Sequence, residues 1–140
     1  KICFDMTCIF CDILDGTRNG HLVYEDKDHI AFLDKYPIDD GHTLVIPRKH
    51  HEKITDMDPN DVGKIFSLIP KIAKAVLAGA GADAFSLAQN NGKAAKQIIP
   101  HVHIHIIPRY NNKGTVWTKR QIPTDEVLSE LAVKIKSAII

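Results

Sequence analysis

The chain has 140 residues, 44% of them hydrophobic, with 18 Lys and Arg against 17 Asp and Glu and a formal net charge of +1. That suffices for one domain with its own core and is short of two, and the balanced charge offers no overall field for nucleic acid or an anionic membrane. No apolar run approaches a membrane span, and the first residues lack a basic start followed by an apolar stretch, so a single soluble domain over 1–140, in the cytoplasm, is expected. Three cysteines, two of them in Cys8-Ile9-Phe10-Cys11, suit a reducing compartment better than a secreted disulfide scaffold.

Residues 7–15 place Ile9, Phe10, Ile13 and Leu14 at helical spacing and predict a short opening helix, closed by turn signals at Asp15-Gly16 and Asn19-Gly20. Residues 22–25 and 30–34 read as a strand pair around Asp26-Lys27-Asp28, and residues 42–47 as a third strand bounded by Gly41 and Pro47. Asp58 caps a helix with Pro59 in its first position. Val62, Ile65, Phe66, Ile69, Ile72, Ala73, Val76 and Leu77 then recur at three- and four-residue intervals, which predicts one long helix kinked at Pro70. Residues 84–89 and 101–107 supply two more strands across a loop at Asn90-Asn91-Gly92, with Pro108 ending the second. Thr124 caps a last helix carrying Leu128, Leu131, Ile135 and Ile139. The order predicts an α+β fold: a mostly antiparallel sheet packed with one long helix and a C-terminal helix.

The chemistry concentrates in His101-Val102-His103-Ile104-His105. Strand alternation puts three imidazoles on one face and Val102, Ile104 and Ile106 on the other. The apolar set is a core face. Three imidazoles side by side, each able to be neutral or protonated near pH 7, suit binding and transfer of phosphate. His42, at the start of another strand, can join the same face if the two strands lie close.

The segment His101-Val102-His103-Ile104-His105-Ile106-Ile107 resembles the signature of the histidine triad (HIT) superfamily, in which histidines alternate with apolar residues. The resemblance takes in Cys8–Ile13, Ala31–Asp34, Gly41–His50, Ile107–Tyr110 and Gly114–Trp117, and is similar to the bacterial-type branch related to the Hint nucleotide hydrolases. It implies a HIT-like fold and an in-line attack at the α-phosphorus of a nucleotide. His103 is implied as nucleophile, forming a nucleotidyl-imidazole that water cleaves. His105 and His42 are implied to orient that ring and contact phosphate, and Gln97 to contact phosphate or leaving group. Asp34 matches the ribose-binding carboxylate, Asn90 a polar position bordering ribose and phosphate, and Ile9, Phe10, Ile13 and Phe32 the apolar pocket for the base. Read without the family, Asp34 is a turn residue, Gln97 a loop residue and those four apolar residues ordinary core. The expected partner is a purine nucleotide such as AMP or GMP.

Cys8 and Cys11 with two histidines make a Cys₂His₂ set suited to zinc. The resemblance implies His50 and His101 as the other ligands, with His51 the alternative to its neighbour. Four protein ligands make such zinc structural and His101 an anchor. Two positions depart from Hint-type phosphoramidases: Ile98 stands where a serine often assists the departing amine, and Lys35 where an apolar pocket residue is usual.

The expected activity is hydrolysis of a nucleoside phosphoramidate or related conjugate, releasing nucleoside monophosphate. The alternatives are a dinucleoside polyphosphate hydrolase and a non-catalytic nucleotide-binding regulatory protein, with a nucleotide transferase least favoured because His105 is retained. The family also implies a homodimer whose two sheets join, for which Trp117 and the last helix are candidate contacts; neither nucleic acid nor membrane is an expected partner.

Overall fold

The computed structural model describes residues 8–140, so Thr7, the first position of the predicted opening helix, lies outside the described residues. Helix α1 spans Ile9–Asp15, and the Cys8 sulfur accepts from the Cys11 N–H at its start. Strands β1 (Leu22–Glu25), β2 (His29–Leu33) and β3 (Thr43–Pro47) follow as an antiparallel meander. Strand β4 (Ala84–Ala88) and strand β5 (Ile104–Arg109) complete one antiparallel sheet in the order β1-β2-β3-β5-β4. This is the α+β layout expected.

The ladders sort the side chains into two faces. Ile104, Val45 and Ala31 share one row, which packs with Ile69, Ile72, Ala73, Val76, Leu128 and Ile135 in the main core. His105, Leu44 and Phe32 share the next, on the opposite face, where Phe10 and Cys11 of α1 close a second, smaller core. A one-residue slip of β5 would bury histidines in the main core, so the apolar alternation of Val102, Ile104 and Ile106 holds the register.

The predicted long helix is two. Helix α2 (Pro59–Ser67) is capped by Asp58, whose carboxylate accepts from the Asn60 N–H, and helix α3 (Ile69–Ala80) starts again past Leu68 with Pro70 in its first turn. Proline lacks the N–H that would continue the ladder, so the break precedes it. Helix α4 (Asp125–Ala138) is capped by Thr124 and spends Leu128, Ala132 and Ile135 against the chain's own core. It crosses α3 at Gly79, where an added Cβ would come 2.7 Å from the Ile135 backbone.

Two boundaries differ from expectation. Strand β5 begins at Ile104, leaving His101 and His103 in an extended lead-in tied down by the Val102 N–H donating to the His51 carbonyl at 2.7 Å. It also runs through Pro108, which pairs with Phe85 of β4. Strand β3 begins only at Thr43, opposite Ile106, so Pro108 lies beyond that ladder and owes it no donor. Among the described residues no helix is long and apolar enough to cross a membrane.

Candidate active site

The His42 ring enters the site through a tight turn. Gly41 has φ +91°, and a Cβ there would meet the Ala80 Cβ at 2.9 Å and the Pro108 Cγ at 3.2 Å, so only glycine fits without displacement. His42 is fully buried behind it, and its Nδ1 accepts from the Ile38 N–H at 2.9 Å. That acceptance puts the ring proton on Nε2, which lies 2.9 Å from His105 Nδ1 and donates to it. In neutral His105 the proton therefore sits on Nε2, a donor left for an anionic oxygen. Burial pushes His42 down to about 2 and His105 down to about 3, with neighbouring cationic groups adding to both shifts.

His103 has the complementary arrangement. Its Nδ1 lies 2.7 Å from the His101 carbonyl, to which it donates, so Nε2 carries the lone pair. Burial lowers its basicity, against the opposing effects of the His101 carbonyl and Asp34. The His103 ring stands 4.9 Å from that of His105 and 5.0 Å from the edge of Phe10, which in turn packs on Phe32 at 5.3 Å. The face thus offers one nucleophilic nitrogen beside one N–H donor, walled by aromatics. Ile9 and Ile13 pack against the same cluster.

Asp34 follows β2 on the Phe32 side. One carboxylate oxygen accepts from the Tyr36 N–H at 2.9 Å, and the other lies 3.6 Å from His42 Nε2 and 2.8 Å from Arg120 Nη1. Burial raises the pKa of Asp34 above the usual carboxylate value, while the Tyr36 N–H and Arg120 pull it the other way. Arg120 also donates from Nη1 to the Tyr36 carbonyl at 2.8 Å.

Gln97 is buried with both ends of its amide engaged, accepting from the Gly92 N–H at 2.7 Å and donating to the Glu52 carbonyl at 2.6 Å. Lys96, in the left-handed conformation at φ 69°, turns the chain to bring it there. The Gln97 amide fastens the loop before the triad. Asn90 follows β4, and extending the Ala88–His105 pairing by two residues puts it opposite His103. Ile98 is 82% exposed and Lys35 lies at the surface, so neither joins the apolar cluster of Phe10 and Phe32.

A second grouping lies beyond His101. Its Nε2 donates to the Pro47 carbonyl at 2.9 Å, so Nδ1 carries the lone pair that can ligate. That atom is 3.4 Å from Cys8 Sγ, 3.5 Å from Cys11 Sγ and 3.1 Å from His50 Nδ1. The four ligand atoms lie within 4.8 Å of one another. Tetrahedral zinc with bonds of about 2.0–2.3 Å holds its ligands about 3.3–3.8 Å apart, so small movements would complete the fit. His50 turns inward, while the His51 carbonyl fastens Val102. Zinc would take both cysteines as thiolates.

The HIT domain family model matches residues 16–112, which include the strands, the Gln97 loop and all three triad histidines. The chain belongs to the HIT family. An adenosine 5′-monophosphoramidase of Schizosaccharomyces pombe is 36% identical over 137 residues, covering 94% of this chain and all of the relative. The crystal structure of a hypothetical histidine triad nucleotide-binding protein from Sulfolobus tokodaii superposes with a TM-score of 0.87 at 33% identity, over 94% of this chain and 91% of that one. A zinc-bound HIT family protein from Mycobacterium smegmatis gives 0.85 at 34% identity, over 96% and 94%. HIT proteins thus include nucleotide hydrolases, and a zinc-bound member shares this fold.

Three groups at the site escape a sequence reading: the Ile38 N–H that sets the His42 tautomer, the Pro47 carbonyl that turns His101, and Arg120. The first two are backbone atoms. Arg120 sits 86 positions from Asp34, in a loop whose sequence carries no pattern.

Proposed function

We propose that the protein is a nucleotide hydrolase that cleaves at the α-phosphate of a nucleoside phosphoramidate or related conjugate through a nucleotidyl-His103 intermediate. The observation that carries this is the pairing of tautomers: a lone pair on His103 Nε2 beside an N–H donor on His105 Nε2. In the first step the Nε2 lone pair forms the N–P bond as the leaving group departs with the P–X electron pair, its nitrogen protonated by solvent. The bond from His103 Nδ1–H to the His101 carbonyl stabilises the positive charge that develops on the ring. The His105 donor stabilises the phosphoryl oxygens, and His42 holds His105 in that tautomer. Water then attacks phosphorus, the N–P bond breaks, and nucleoside monophosphate leaves with His103 restored.

The ribose hydroxyls would donate to Asp34, and the base would enter the pocket of Ile9, Phe10, Ile13 and Phe32; Asn90 borders the phosphate. Gln97 acts by fixing the loop. A purine gains most from such an apolar slot. Zinc on Cys8, Cys11, His50 and His101 would be structural, tying α1 to the triad segment. The homodimer would form across β4, a sheet edge flanked by Phe66, Phe85 and Leu87, each more than a third exposed. Trp117, 51% exposed and stacked 4.8 Å from the Arg109 guanidinium, and helix α4 are the further candidate contacts.

The test is release of AMP from adenosine 5′-phosphoramidate and from diadenosine polyphosphate under single-turnover conditions. Turnover of the phosphoramidate supports the proposal, and faster cleavage of the polyphosphate moves the assignment to the dinucleoside polyphosphate hydrolases. AMP binding without turnover of either leaves a nucleotide-binding regulatory protein.

A further inference from the structure

One short helix carries both candidate metal ligands and walls of the base pocket. Cys8 caps α1 and Cys11 lies in its first turn, while Ile9, Phe10 and Ile13 of the same segment belong to the apolar cluster over Phe32. The Phe10 ring, between the two cysteines in sequence, meets the His101 ring at 6.0 Å, the His103 ring at 5.0 Å and the Phe32 ring at 5.3 Å. A single buried side chain thus touches a member of the metal set, the nucleophile and the pocket wall.

Helix α1 is too short to hold itself in place. Its seven residues are about half of the ~12–15 that an isolated helix needs in water. Among the described residues no backbone hydrogen bond joins it to the sheet. It is seated by the apolar contacts of Ile9, Phe10, Ile13 and Leu14, and by its two sulfurs. Cys8 Sγ lies 3.4 Å from His101 Nδ1, and Cys11 Sγ lies 3.3 Å from His50 Nδ1. Both histidines belong to the sheet side, since His50 follows β3 and His101 Nε2 donates to the Pro47 carbonyl at the end of that strand.

We propose that the metal set controls nucleobase recognition: an ion on Cys8, Cys11, His50 and His101 and a base among Ile9, Phe10, Ile13 and Phe32 bind jointly, coupled through the seating of α1. The inference rests on the nucleotide reading above and adds a regulation of that same site. Part of the ion's binding free energy goes into ordering α1, so the base meets a formed pocket in the loaded chain and an unformed one in the metal-free chain. Coupling of this kind is reciprocal, and a base must tighten the ion by the factor by which the ion tightens the base. A ligand with ribose and phosphate alone escapes the coupling, because Asp34 and the triad lie outside α1.

The test is the zinc affinity of the reduced full chain, measured by competition with a chromophoric chelator, alone and with saturating AMP or ribose 5-phosphate. Isothermal titration of the zinc-loaded chain with AMP accompanies it. AMP is expected to tighten zinc at least about tenfold, within the usual range for coupled sites, and ribose 5-phosphate less than about twofold. Phe10→Ala, which keeps all four ligands, is expected to bind zinc and to lose the effect of AMP on it. Equal zinc affinity with and without AMP overturns the inference and leaves the nucleotide reading standing. Equal tightening by AMP and ribose 5-phosphate also overturns it, since the coupling would then run through the phosphate or the whole fold. A tenfold effect that survives in Phe10→Ala, or a native chain that takes up no zinc, overturns it as well. If AMP does not bind the zinc-loaded chain, the nucleotide reading falls and the inference with it.

Discussion

His42 Nε2 and His105 Nδ1 lie 2.9 Å apart across neighbouring strands, and the Ile38 N–H on the far side of His42 gives the bond its direction. The proton therefore stays on the outer nitrogen of His105. His42→Asn keeps a small polar side chain while losing the ring that spans Ile38 and His105. It is expected to lower kcat by about 10- to 100-fold, the usual cost of losing a group that orients a ligating or reacting one, with a smaller change in KM. Steady-state kinetics with the better substrate measure this, and an unchanged kcat would show that the tautomer does not matter.

The same two rings set the pH dependence of stability. Folding holds His42 at about 2 and His105 at about 3, against 6.5 for an ordinary imidazole, because both are buried and face Arg120 and further histidines. Above 6.5 neither state takes up protons at these positions, so stability is full. Below 6.5 the unfolded chain protonates and the folded one does not, so stability falls with falling pH by up to about 1.4 kcal/mol per unit for each histidine. Urea unfolding at pH 7, 6 and 5 is expected to show this loss, with a shallower slope in His42→Asn. Equal slopes in the two proteins would remove His42 from the explanation.

Zinc binding is expected at about one ion per chain in the reduced protein, measured by elemental analysis after gel filtration. Cys8→Ser is expected to lose the ion and to lower Tm, since the site joins the first turn of α1 to the residue two before His103. Retention of a full complement of zinc by Cys8→Ser would place the metal elsewhere.

Two helical glycines separate packing from backbone entropy. Gly79→Ala pushes a Cβ into the Ile135 backbone at 2.7 Å and is expected to cost about 1–3 kcal/mol. Gly63→Ala, in α2, meets nothing within 4 Å and is expected to stabilise by about 0.5–1 kcal/mol. Opposite signs in denaturant unfolding confirm the α3–α4 crossing, and matching signs contradict it.

Much of the architecture was legible because burial here is one-sided. The period-two row Val102, Ile104, Ile106 and the helical spacing of Ile69, Ile72, Ala73 and Val76 each mark a single core-facing side, and capping chemistry at Asp58 and Thr124 marks the starts of α2 and α4. The break at Leu68 was harder to place, since a proline inside an apolar helical pattern is compatible with a kink or with two helices, and packing decides. Pro108 misled because its tolerance depends on where β3 begins, at Thr43. The histidine and cysteine sets were readable from spacing, and the choice of His50 over His51 needed coordinates because adjacent residues point to opposite sides. Arg120 was invisible: its role depends on a loop conformation that no periodicity specifies.

The central claim is that His103 Nε2 becomes covalently bonded to the nucleotide phosphorus. Rapid alkaline quenching during turnover of adenosine 5′-phosphoramidate, followed by mass spectrometry of the digested protein, is the most direct measurement. The account predicts an adenylyl adduct on the peptide carrying His103, acid-labile and absent from His103→Ala, with turnover in that variant reduced at least about a hundredfold. Turnover by His103→Ala close to the native rate, or an adduct on a different residue, would contradict it.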